Sequence, residues 1–223
     1  MVDKQAYSLK DGISPIGVAF YIAPYVNATI RMGTQEEKLM LFESMLDYRG
    51  YELVPSTKRG CKGQTETRVE QACRNCTNIK NRQTKARDAA LENIERIIKE
   101  KNLLENKILA IKLDTFAADR NLTGLIANQL MAKYQRPVLL LNKTADGWEG
   151  SGRGYDKSKF DNLREFLKES GMIMYAEGHA NALGVGITDE WFNSFIEYSN
   201  RELAEFDFTP CYKVDFIFSG SDF

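Results

Sequence analysis

The sequence is short of histidine, of long apolar runs and of net charge. A single histidine, His179, stands among 223 residues. That excludes a multi-histidine metal centre. It also leaves only one position around which a serine–histidine or cysteine–histidine nucleophile could be built. The longest nearly apolar stretch, Ile16 to Val26, is about half of the ~20 residues a membrane helix needs, so no membrane is expected as a partner. The first residues, MVDKQAYSLKDG, lack a basic start followed by an apolar run and do not read as a secretion signal. Cysteine is sparse, at positions Cys61, Cys73, Cys76 and Cys211. These are expected as reduced thiols in a cytoplasmic protein. The 30 basic and 31 acidic residues cancel, so global charge points to no partner.

What is present reads as a folded α/β protein. Apolar residues make up 43% and charged residues 27%, which suits a globular chain with a real core. Residues 1–103 read as mostly helical. Ser14-Pro15 is a helix start, because serine accepts from a free N–H and proline wastes none. Pro24 is expected to kink or end that helix. Thr34 with Glu37 forms a capping box, followed by an apolar stripe of Leu39, Phe42, Met45 and Leu46. A basic loop, residues 55–63, precedes a long helix over about 66–102. Residues 104–205 alternate strands and helices: strands at 107–113, 137–142 and 172–176, helices at 122–134, 160–170 and 188–205, with a glycine-rich corner at 178–186. Residues 206–223 form a C-terminal strand, 211–218, and a tail. The expectation is a helical connector with a long helix, then a mixed β-sheet domain flanked by helices.

Charge is unevenly spread. Between Lys58 and Arg87 lie nine basic and two acidic residues, a local surplus of seven. Such a segment, with Lys58, Arg59 and Lys62 in its loop, either neutralises phosphates in a salt-sensitive way or is a solvated helix face. Nearby Tyr51 has the ring to stack a base.

Several short motifs carry possible chemistry, each with a plainer reading beside it. Gly150-Ser151-Gly152-Arg153-Gly154 offers close backbone approach, a hydroxyl and a guanidinium fork suited to phosphate, or a hairpin end with a solvated arginine. The run Glu177-Gly178-His179-Ala180-Asn181 sets an imidazole among small residues. It suits an anion, or a structural histidine bonded to a carbonyl. Asn27 and Arg31 share a helical face that either meets a nucleic-acid backbone or is solvated. Cys73 and Cys76 form a CxxC pair. A zinc site needs four ligands, and on a helix both thiols more simply pack inward.

In order along the chain, these motifs resemble those of RecJ-type single-strand exonucleases of the DHH phosphoesterase family. Asn27–Arg31 within IAPYVNATIRMG resembles a P-x-x-N-A-x-x-R segment. Gly124 with the later run Tyr134-Gln135-Arg136-Pro137 resembles GxxGIVASRL…Y-x-RP. GSGRG resembles GSxRS, and EGHANALGVGI resembles GGHxxAAG. The resemblance implies the C-terminal half of a 5′-to-3′ exonuclease. That half would grip the phosphate backbone of single-stranded DNA for a DHH catalytic domain missing from this chain. Ser151, Gly152, Arg153, Gly154, Gly178, His179 and Asn181 would hold phosphate, with Asn27 and Arg31 facing the missing domain. It implies no cofactor in this chain and manganese or magnesium in the catalytic domain. Two alternatives stay open: a phosphoesterase domain for short oligonucleotides or cyclic dinucleotides, and a non-catalytic partner-binding domain. The chain departs from the family pattern in having no His-His pair, in Glu177 where the signature has glycine, and in Gly154 where it has serine.

Overall fold

The computed structural model describes residues 1–10, 12–113, 119–212, 214–217 and 219. The chain forms two compact units, Met1–Asp88 and Ala89–Phe223, which divide inside the long helix.

The N-terminal unit opens with a 3-10 turn at Asp3–Gln5 and continues into α1 (Pro15–Gly17), where Ser14 Oγ accepts from the Gly17 N–H at 3.0 Å. A π-helical stretch, Val18–Ile22, leads straight into α2 (Ala23–Met32). Pro24 therefore does not end the helix. It sits in the first turn of α2, directly after the π-helical stretch. The capping box at α3 (Gln35–Ser44) forms as expected: Thr34 N–H donates to Glu37 and the Glu37 N–H returns to Thr34 Oγ1. The apolar stripe does not become core. Leu39, Phe42 and Met45 are 52%, 62% and 62% exposed, while Leu41 is buried instead. The short helix α4 (Asp47–Gly50) follows.

The basic loop is the tip of a hairpin not foreseen in a region read as helical. Strands β1 (Leu53–Pro55) and β2 (Thr65–Thr67) pair antiparallel, and β2 runs directly into α5 (Arg68–Glu100). A buried group anchors the hairpin to α5. Glu66, 6% exposed, is gripped by both guanidinium nitrogens of Arg74, and Gln71 donates to Glu66 and to the Pro55 carbonyl. Both CxxC thiols turn inward on α5. Cys76 is buried and accepts from Thr29 Oγ1 at 3.3 Å, and Cys73 is half-buried.

The C-terminal unit is a mixed sheet, ordered β3-β4-β5-β7-β6. Its strands are β3 (Leu109–Leu113), β4 (Val138–Lys143), β5 (Trp148–Arg153), β6 (Tyr175–His179) and β7 (Ala182–Ile187). β3 and β4 are parallel, joined through α6 (Thr123–Tyr134). The remaining pairs are antiparallel. The expected strand 172–176 lies further along, and the glycine-rich corner is a strand, joined to β6 by a turn at Ala180-Asn181. Side chains alternate between faces. One face puts Leu139, Leu141, Leu183, Val185 and Ile187 against α7 (Leu163–Glu169) and α8 (Asp189–Glu202), with Leu163, Leu167 and Phe195 fully buried among them. Each such side chain contributes roughly 1.5–3 kcal/mol by leaving water. The other face is covered by α6 only over β4 and β5.

Among the described residues of the expected strand 211–218, none is in a strand. The described residues there, 211, 212 and 214–217, are exposed and carry no strand, and Lys213 and Phe218 lie outside the described residues. The apolar weight falls earlier, on Phe206 and Phe208, whose rings meet Phe160 edge-on at 5.7 and 5.9 Å.

Candidate functional site

The half of the sheet that α6 leaves open is organised in rows. Side chains of directly paired strand residues project from the same face. Register places Arg153 on β5 opposite Ala182 on β7, and Ala182 opposite His179 on β6. Arg153 and His179 therefore rise from one face, two strand spacings or about 10 Å apart, with only a methyl group between them. A second row holds Ser151, Gly184 and Glu177. A third holds Asn142, Glu149, Gly186 and Tyr175. β7 contributes only Ala182, Gly184 and Gly186 to this face. It is the bare floor of a trough walled by β5 and β6.

The start of α6 closes the trough on the β5 side. Thr123 Oγ1 and Ser151 Oγ share a hydrogen bond of 2.9 Å. A Cβ on Gly124 would lie 2.6 Å from Arg153 Nη2, so the guanidinium can rest on this helix only because residue 124 is glycine. Arg153 Nη1 donates to the Gly152 carbonyl at 2.6 Å. His179 is exposed, and its ring has no hydrogen-bond partner among the described residues. Gly178 stands beside it at φ +128°, and a Cβ there would crowd the Ala182 carbonyl at 2.8 Å.

Other expected residues fall elsewhere. Gly152 faces the core, where a Cβ would meet Leu183 and Leu139. Gly154 is buried and its N–H donates to the Asn181 carbonyl. The Asn181 side chain is fully engaged in structure. Its Oδ1 accepts from the Leu163 N–H at 3.1 Å, and its Nδ2 donates to the Asp161 carbonyl at 2.8 Å. Asn27 and Arg31 are exposed on α2, and Lys58, Arg59 and Lys62 are exposed at the hairpin tip, all in the N-terminal unit.

The surplus charge of residues 58–87 is largely spent inside that unit. Arg68 pairs with Glu43 and Glu52, Arg74 with Glu66, Arg82 with Glu37 and Arg87 with Asp88. The Arg74 fork, above all, holds the Glu66 carboxyl down to about 2. Lys58, Arg59, Lys62, Lys80 and Lys85 make no ion pair among the described residues; three of these five cations stand at the hairpin tip.

Sequence reasoning missed Asn142, Glu149 and Tyr175, because only register brings them into the trough. Burial first, then the anions of Glu149 and Glu177, push the Tyr175 phenol above its ordinary range.

Over 192 residues the chain is 38% identical to a Bacillus subtilis strain 168 protein, YorK, named as an SPbeta prophage-derived single-strand DNA-specific exonuclease. An equally similar copy occurs in Bacillus phage SPbeta. The YorK match takes in 82% of the chain but 32% of the relative, so this chain spans about a third of that length. RecJ from Thermus thermophilus, solved with Mn2+, superposes at TM-score 0.61 and 17% identity over 95% of this chain and 28% of its own. A second RecJ exonuclease, bound to manganese, gives TM-score 0.55 and 20% identity over 91% of this chain and 44% of its own. At that identity the two structures establish the RecJ-like fold. No family model matches the chain.

The Thermus RecJ structures hold Mg2+ or Mn2+. Among the described residues here, no group of three or more histidine, cysteine, aspartate or glutamate side chains could hold a metal ion. The donor set thus does not fit a two-metal centre. Nor is any described helix long and apolar enough to cross a membrane.

Proposed function

We propose that this chain is the substrate-gripping half of a RecJ-like 5′-to-3′ exonuclease for single-stranded DNA. Hydrolysis is assigned to a companion catalytic domain that brings the manganese or magnesium. The observation that carries this reading is the row Arg153–Ala182–His179. It sets a guanidinium and an imidazole on one face of a bare-floored trough, where an extended phosphate backbone can approach the sheet closely. Ser151 and Thr123 hydroxyls stand in the same wall. Lys58, Arg59 and Lys62 add non-specific backbone contacts from the hairpin tip. Asn27 and Arg31 face the companion domain, for which Leu39, Phe42 and Met45 offer apolar surface.

Fluorescence anisotropy with 5′-phosphorylated and unphosphorylated oligonucleotides tests the grip. Arg153→Ala is expected to weaken the phosphorylated strand about tenfold more than the other, the worth of one charge-assisted hydrogen bond. Equal losses would remove the phosphate assignment. The chain alone is expected to leave DNA intact with added manganese, and metal-dependent degradation by it would overturn the division of labour.

A second reading, a domain for short oligonucleotides or cyclic dinucleotides, is favoured by one observation. The arginines of α5 are neutralised internally and do not form a long basic track. Competition by a dinucleotide as effective as that by a 20-mer would support it.

A further inference from the structure

The row farthest from Arg153 and His179 has a different chemistry. Asn142, Glu149 and Tyr175 share one face of the sheet across β4, β5 and β6, with Gly186 as the floor. Together with Arg120, Thr123 and Ser151 they line a cleft of about 220 Å³. A Cβ on Gly186 would lie 2.4 Å from Tyr175 Cε1, so the tyrosine ring lies across that glycine and forms one side of the cleft. Asn142 is only 8% exposed, yet its side-chain amide has no hydrogen-bond partner among the described residues. The amide is not shut off from solvent, so it stands free in the cleft wall as a donor and acceptor that a ligand can engage. Glu149, half-buried directly opposite Asn142, likewise makes no ion pair or hydrogen bond among the described residues.

We propose that this cleft is a nucleobase pocket that selects bases carrying an exocyclic amino group over thymine. The base stacks on the Tyr175 ring. Its amino group donates to the Glu149 carboxylate, and the Asn142 amide pairs with the adjacent ring nitrogen or carbonyl. Carboxylate-to-amino and amide-to-adenine pairings are the ordinary means of reading these edges, and an aromatic ring stacks any base. Thymine presents a carbonyl where the others present the amine, so it faces Glu149 with like polarity. The two rows lie about 14 Å apart along the strands. The backbone phosphate at Arg153 and the selected base thus belong to neighbouring positions of one bound strand.

This inference rests on the single-strand reading above, and the test separates the two. Anisotropy titrations of the full chain would use 5′-phosphorylated oligomers of dA, dC and dT of equal length. The expected result is dA and dC at least about fivefold tighter than dT. Glu149→Gln should reduce that ratio to near one, by weakening dA and dC and by tightening dT, whose carbonyl then meets an amide N–H. Asn142→Ala should mainly weaken dA. Equal affinity of the three oligomers for the native chain, or a preference that survives in Glu149→Gln, would overturn the base pocket and leave the phosphate grip standing. Absence of binding to every oligomer would overturn both. Circular dichroism of each variant separates lost folding from lost recognition. Should Asn142→Ala not fold, the isosteric variant Glu149→Gln decides alone.

Discussion

The Arg153 guanidinium occupies the space that a β-carbon on Gly124 would need: the two would stand 2.6 Å apart. This contact makes a residue on α6 a positioning residue for an arginine on β5. Gly124→Ala is expected to push the guanidinium off the helix and weaken 5′-phosphorylated oligonucleotides about tenfold. Stability should hold or rise by up to about 1 kcal/mol, since alanine is the better helix former. Binding and urea denaturation on one preparation check this. A loss of stability parallel to the loss of binding would contradict it.

Glu66 gives the N-terminal unit an acid-sensitive joint. Its carboxyl is held from 4.5 down to about 2, first by Arg74 and then by Gln71 and the Thr57 N–H. A depressed carboxyl lends stability in full above its unfolded value and loses it as pH falls toward the folded one. Thermal unfolding is therefore expected to soften between about pH 4.5 and pH 2. Glu66→Gln should flatten that dependence and cost about 3 kcal/mol at neutral pH, by stranding Arg74. An unchanged pH profile in the variant would remove the assignment.

The hairpin tip is expected to govern salt sensitivity. Replacing Lys58, Arg59 and Lys62 together by alanine should lower the slope of log affinity against log salt by about 2, from ~0.7 per phosphate contact on a single strand. Folding should not change, because all three side chains are exposed. Titrations at several salt concentrations measure the slope, and an unaltered slope would take the tip out of the interface.

Asn181 is expected to act through folding. Its side chain ties the β6–β7 turn to the start of α7 by two hydrogen bonds. Asn181→Ala should cost about 1–3 kcal/mol by leaving those backbone groups unpaired. Affinity measured below the unfolding transition should barely change. A specific affinity loss in a stable variant would return Asn181 to the binding surface.

Local features were legible in the sequence. The Ser14 and Thr34 caps depend on residues three apart, and both form. The strand–helix–strand alternation of residues 107–142 rests on periodicity and also holds. What failed depends on partners distant in sequence. Arg68 and Arg74 read as free cations, because Glu43, Glu52 and Glu66 reach them only after α3 and the hairpin fold against α5. Leu39, Phe42 and Met45 have helical spacing, but periodicity does not say whether anything covers the face. Arg153 and His179 were singled out for their glycine-rich surroundings. Their shared row, and the presence of Asn142, Glu149 and Tyr175 nearby, follow from strand register, which no local pattern encodes.

β7 serves both surfaces of the sheet at once: Leu183, Val185 and Ile187 point into the core, Ala182, Gly184 and Gly186 out to the trough. Removing a single residue from it would exchange the two sets. Branched aliphatic groups would then fill the channel, glycines would hollow the interior, and one deletion would cost the molecule its footing and its cargo together.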